Sequence, residues 1–176
     1  MKHAEQVELL EELLGLKESK QLFLDDRPST NPSSDYADPE RYALEHRRVI
    51  SRLPTIVAHS SELDDEHSFI RRLSLGLPLL LTRADDGSVR AFLNVCRHRG
   101  TRLVDDHRGC KQRFTCPYHA WTWNNRGEFV GAPHFDKGFD EPDRSSLELK
   151  TIPCVERHGF IWLLPEPGPS DLARFL

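Results

Sequence analysis

Cys96-Arg97-His98 and Cys116-Pro117-Tyr118-His119 each offer one thiolate and one imidazole, in the same order, with seventeen residues between His98 and Cys116. Thiolate and imidazole are the side chains that bind transition metals most readily near neutral pH. A site built twice on one plan can hold two metal ions, both sulfurs on one and both nitrogens on the other. The same four donors could close tetrahedrally on a single zinc ion. Zinc modules usually pair Cys with Cys and His with His, whereas each run here is mixed, which favours the two-metal arrangement.

Loops that carry such donors need a rigid frame, and the sequence around them supplies one. From about residue 54 the pattern is of short β-rich segments: 55–58, 69–73, 77–83 and 89–94 precede the two runs, with Asp85-Asp86-Gly87 as a hairpin turn. Further strands are expected at 113–115, 121–123, 128–130, 149–155 and 160–164, with Asn124-Asn125-Arg126-Gly127 as a second turn. Residues 131–146 show no period and read as a surface loop. Gly100 and Pro117 are expected to shape the two donor loops.

The first third of the chain is different. Residues 4–18 read as an amphipathic helix, with Val7, Leu10 and Leu14 on one stripe and Leu9, Leu13 and Leu16 widening it. It is expected to dock on its own domain or on a sister subunit. Residues 27–39, rich in Pro, Ser and Asp, read as a linker, and Asp38-Pro39-Glu40 opens a second helix running to about 46–50.

Composition limits the function classes. The chain has 176 residues, 38% hydrophobic and 30% charged, enough for one domain with a real core. No apolar run approaches the ~20 residues needed to span a bilayer, and the acidic N-terminus does not read as a signal peptide. With four cysteines and a net charge of −4, the expected setting is a reducing cytoplasm, with neither membrane nor nucleic acid as partner.

Cys96-Arg97-His98-Arg99-Gly100 and Cys116-Pro117-Tyr118-His119-Ala120-Trp121, preceded by Ala91-Phe92-Leu93-Asn94-Val95, resemble the N-terminal Rieske domain of ring-hydroxylating oxygenase α subunits. The resemblance runs from Tyr36-Ala37-Asp38-Pro39-Glu40 to Gly159-Phe160-Ile161-Trp162. It implies a mainly β fold of small antiparallel sheets with a helical N-terminal extension, and a [2Fe-2S] Rieske cluster held by Cys96, His98, Cys116 and His119. It also implies a cluster environment formed by Arg99, Gly100, Pro117, Tyr118 and Trp121. Two ferric ions, two sulfides and two thiolates sum to about zero when the other iron carries neutral imidazoles, so an electron is added more easily than to an all-thiolate cluster. Ala120 departs from the family, which usually has Gly there. Respiratory-chain Rieske proteins brace their loops with a disulfide just beyond the ligands; those positions are not cysteine here, so Cys110 and Cys154 read as free thiols.

In that family the cluster takes electrons from a ferredoxin or flavin reductase. It delivers them to a mononuclear Fe(II) in a following catalytic domain, usually of a neighbouring subunit in a homo-trimer, where O2 is activated. The iron's two-His-one-carboxylate triad has no match here: His3, His46, His59, His67, His107, His134 and His158 include no pair within seven residues. The expected organisation is therefore 1–50 as extension and linker, 51–165 as Rieske domain, and 166–176 as the start of a connection to a catalytic domain absent from this chain. A free-standing Rieske ferredoxin is the alternative, and Arg97, Arg99 and the helical lead-in favour the oxygenase. Six cations between Arg97 and Arg113, against Asp105 and Asp106, would steer an acidic donor. Tyr118 is expected to donate a hydrogen bond near the cluster, and Trp121, Trp123 and Trp162 to pack. His107 and His134 read as surface residues.

Overall fold

Leu79, Leu80 and Leu81 are consecutive and all fully buried. A strand buried on both faces needs cover on both, and that requirement organises the layers. The computed structural model describes residues 2–22, 24, 27–138 and 143–164, and eleven strands run through them: β1 (Thr55–His59), β2 (Ser68–Ser74), β3 (Leu77–Arg83), β4 (Val89–Leu93), β5 (Arg108–Cys110), β6 (Arg113–Thr115), β7 (Thr122–Asn124), β8 (Phe129–Gly131), β9 (Thr151–Ile152), β10 (Cys154–Arg157) and β11 (Phe160–Leu163). They form a five-stranded sheet in the order β5-β2-β3-β4-β9, flanked by three-stranded sheets β1-β11-β10 and β6-β7-β8. Neighbouring strands pair antiparallel throughout.

The period-2 alternation of the central strands sorts their side chains between two cores. Ile70, Leu79, Leu81 and Ala91 join Ala58, Ile161 and Leu163 on one side. Phe69, Leu80 and Phe92 join Phe114, Trp123 and Phe129 on the other, and Cys96 and Cys116 belong to that second core. The buried hydroxyl of Thr82 on β3 donates to the carbonyl of Asn125 in the β7–β8 turn at 2.8 Å. The same turn places Gly127 at φ +84°, against the Phe92 ring, where a Cβ would overlap it.

The structure refines three expected elements. Residues 149–155 form two strands in different sheets, β9 and β10, because Pro153 between them cannot donate to a ladder. Arg108–Cys110, which carries no strand-like period, pairs with β2 because Gly109 leaves room for the Phe69 ring. Among the described residues, 131–146 hold a helical turn, α3 (Phe135–Gly138), and run into a 3-10 turn at Arg144–Leu147, with Phe135 buried in the second core.

The chain divides into two compact units, Met1–Pro39 and Glu40–Leu176. In the first, α1 (His3–Ser19) ends at Lys20 in the left-handed region, and none of its residues is buried; a 3-10 turn, Ser33–Tyr36, lies within the expected linker. The second opens at Glu40, one residue into α2 (Pro39–Glu45), which widens into a π-helical turn over His46–Ile50. Trp123 is fully buried and Trp162 half-buried. Among the described residues no helix is long and apolar enough to cross a membrane. The expected connection at 166–176 lies outside the described residues.

Candidate metal centre

Two loops of one design carry the Cys/His runs. In the first, the Cys96 N–H donates to the Thr101 carbonyl at 2.7 Å and the Gly100 N–H returns to the Cys96 carbonyl at 3.0 Å. In the second, the Cys116 N–H donates to Trp121 at 2.8 Å and the Ala120 N–H to Cys116 at 3.0 Å. Each turn needs a left-handed residue four positions after its cysteine, Gly100 at φ +73° and Ala120 at φ +56°. Glycine adopts that conformation freely; for alanine it costs roughly 1 kcal/mol. The methyl of Ala120 therefore strains a turn that hydrogen bonds impose.

Asn94 anchors the first loop. Its buried side chain donates to the Val104 carbonyl at 2.7 Å and accepts from the Val104 N–H at 2.9 Å, so one amide clamps the loop's two ends. Sequence reading passed over Asn94; an amide inside the apolar run Phe92-Leu93-Asn94-Val95 was the available signal. The second loop grows from the paired β6 and β7, whose Thr115 and Thr122 hydroxyls meet at 2.9 Å.

The four donors converge as two pairs. Cys96 and Cys116 are 3% and 2% exposed, and their thiols lie within hydrogen-bonding reach of each other. The His98 and His119 rings sit outside them, centroids 4.8 Å apart. In both histidines Nδ1 is buried with no hydrogen-bond partner, and a buried polar atom left so is costly unless something else engages it. Among the described residues no three Cys, His, Asp or Glu side chains converge as one ion would require. Two thiols in reach of each other and two imidazoles with unpartnered Nδ1 atoms form two ligand pairs, as a pair of metal ions with two protein ligands each would need. Cys96, Cys116, His98 and His119 could hold a [2Fe-2S] cluster.

Electrostatics agree with that donor chemistry. Burial pushes the Cys96 thiol up, and Cys116 adds to this; the backbone N–H groups of His98 and Arg99, aimed at the sulfur, pull the other way. Donors so placed would stabilise a metal-bound thiolate. Burial lowers the His98 pKa, and His119 and Arg99 lower it further, favouring the neutral imidazole that a ligand must be.

Of the residues expected around the cluster, Trp121 is buried, whereas Arg99, Gly100, Pro117 and Tyr118 are exposed. Trp121 lies against His98 and Tyr118 against His119. Beside the two histidines opens a cavity of about 560 Å³, with Tyr118, Pro133 and His134 in its wall. His107 and His134 are exposed. Of the basic run, Arg102 pairs with Asp105 at 3.2 Å, Lys111 with Asp106 at 2.7 Å, and Arg97 reaches the Ser146 carbonyl at 3.3 Å. Arg99, Arg108 and Arg113 are exposed and form no ion pair among the described residues. Cys110 and Cys154 are free thiols; burial pushes Cys154 up to about 11.

Comparison with known proteins agrees. Residues 54–155 match the family model of the Rieske [2Fe-2S] domain. The N,N-dimethyl phenylurea N-demethylase subunit alpha of Sphingobium sp. is 37% identical over 149 residues, covering 82% of this chain and 32% of that protein. The carnitine monooxygenase oxygenase subunit of Escherichia coli K12 is 31% identical over 143 residues, covering 81% and 38%. In structure, naphthalene 1,2-dioxygenase from Rhodococcus sp. superposes with a TM-score of 0.73 at 28% identity, covering 78% of this chain and 32% of its own. The chain thus spans about a third of the length of the relatives it matches.

Proposed function

Because the chain belongs to the Rieske [2Fe-2S] domain family, we propose that Cys96 and Cys116 bind one iron, that His98 and His119 bind the other through Nδ1, and that the protein carries single electrons. The cluster, when bound, supplies a one-electron couple whose potential imidazole ligation raises. The rest of the work falls to the chain. Core residues around Cys96 and Cys116 keep water from the sulfurs, and the His98 and Arg99 N–H groups add positive dipoles there. The half-buried imidazoles face outward and form the electron port. The observation that carries this reading is the pair of buried, unpartnered Nδ1 atoms outside two touching thiols.

We further propose that the chain is the electron-delivering part of an oxygenase α subunit, with 51–165 as its Rieske domain and 1–50 as extension and linker. The match to the Sphingobium demethylase subunit extends over 149 residues, well beyond 54–155, which favours this over a free-standing ferredoxin. A ferredoxin or flavin reductase would donate at a surface where Arg99, Arg108 and Arg113 are free to attract acidic groups. The acceptor would be a mononuclear Fe(II) in a catalytic domain of the same or a neighbouring subunit of a trimer, in a reducing cytoplasm. Anaerobic reconstitution followed by metal and sulfide analysis tests the central assignment. Two iron and two acid-labile sulfide per chain are expected; zinc without sulfide would overturn it.

A further inference from the structure

The two metal loops share a backbone design and differ in what covers their histidines. His98 lies flat on the Trp121 indole, centroids 4.8 Å apart and planes 2° apart. His119 is met by Tyr118 at 3.8 Å and a 35° tilt. The two covers are not alike: Trp121 is 5% exposed and Tyr118 57%. Trp121 is wedged in turn by Phe129 at 5.1 Å and by the edge of Phe135 at 6.1 Å. It also closes the second loop, its carbonyl accepting from the Cys116 N–H, yet its ring covers the histidine of the first.

The last side-chain torsion of histidine is broad, so an imidazole on a loop does not fix its own plane. A flat, immobile indole removes that freedom, because turning the ring would lift it from the face it packs on. An exposed tyrosine offers no such wall. We propose that Trp121 is a positioning residue for His98: it sets the plane of that imidazole, keeps Nδ1 aimed into the site, and braces the first loop with the second. His119, by contrast, lies beneath an exposed cover on the open side. The two imidazoles are therefore inequivalent, one held and one adaptable.

This inference rests on His98 and His119 being ligands, and the test separates the two claims. The full chain, labelled with 15N-histidine and reconstituted with iron and sulfide, is reduced and examined by orientation-selected pulsed EPR. Wild type should give two histidine nitrogen couplings. Trp121→Leu should broaden one and leave the other; Tyr118→Leu should leave that first coupling unchanged. Phe135→Leu, which loosens the wedge behind Trp121 without touching His98, should broaden that same coupling by less than Trp121→Leu and leave the other sharp. Should Trp121→Leu fail to fold, Trp121→Phe serves, with the same single coupling broadened less. Unchanged couplings in the Trp121 variants, or equal broadening of both couplings there, would overturn the role of Trp121. Absence of nitrogen coupling from the wild type would instead sink the ligand assignment.

Discussion

The first metal loop is held from within, the second by its neighbours. The clamp on the first is a single buried amide, Asn94, gripping Val104 from both sides, and its turn uses a glycine at φ +73°. The second hangs on a β-ladder and a hydroxyl pair, and its turn forces an alanine to φ +56°. Yet both close with the same two backbone hydrogen bonds around their cysteines. Backbone geometry at the donors is thus common to both loops, while strain, support and cover differ. A cluster binding both must tolerate one loop that resists deformation and one that carries stored strain.

The comparison can be broken outright at the donors. His98→Ala or His119→Ala should abolish the two-iron optical and EPR signature, one loop failing as completely as the other; persistence of the wild-type signature in either would refute its ligand. Asn94→Ala should damage the first loop alone. It leaves the buried Val104 N–H and carbonyl without partners, at about 1–3 kcal/mol each, so a clear fall in thermal midpoint and faster iron loss are expected. A midpoint within a degree of wild type would show that the clamp is dispensable.

A third experiment concerns the surface around the loops. Reduction by an acidic donor should slow roughly tenfold between low and high salt if Arg99, Arg108 and Arg113 steer it. Arg99→Glu together with Arg113→Glu should flatten that dependence, and a rate indifferent to salt would remove steering. The smallest effect is the most symmetric. Ala120→Gly should relieve the second turn and Gly100→Ala should strain the first, each by about 1 kcal/mol in opposite directions, read from denaturant midpoints. Equal signs would mean the two turns are not equivalent.

That Cys96, His98, Cys116 and His119 come together was legible in the sequence, because two mixed Cys/His runs at short spacing point to converging metal donors. The strands around Leu77–Arg83 were legible for a similar reason, as a continuous apolar run needs cover on both faces. Which ring nitrogen turns inward was not, because that depends on the loop closing through Thr101 and Trp121. Arg108–Cys110 escaped notice because its pairing is set by Phe69 across the sheet rather than by its own pattern. Pro153 could have announced the break between β9 and β10, having no N–H to give. The stack of Trp121 on His98 joins residues from different loops, and nothing local marks it. Asn94 had a signal, polarity in an apolar run, whose partner Val104 only the fold supplies.

The central claim is that both sulfurs serve one iron and both imidazoles the other. Mössbauer spectroscopy of the 57Fe-reconstituted chain tests it directly. Two ferric sites of equal area and different isomer shift are expected before reduction, with one of them alone turning ferrous afterwards, since the iron carrying neutral imidazoles accepts the electron more readily. A single site type, with the two irons indistinguishable, would contradict it.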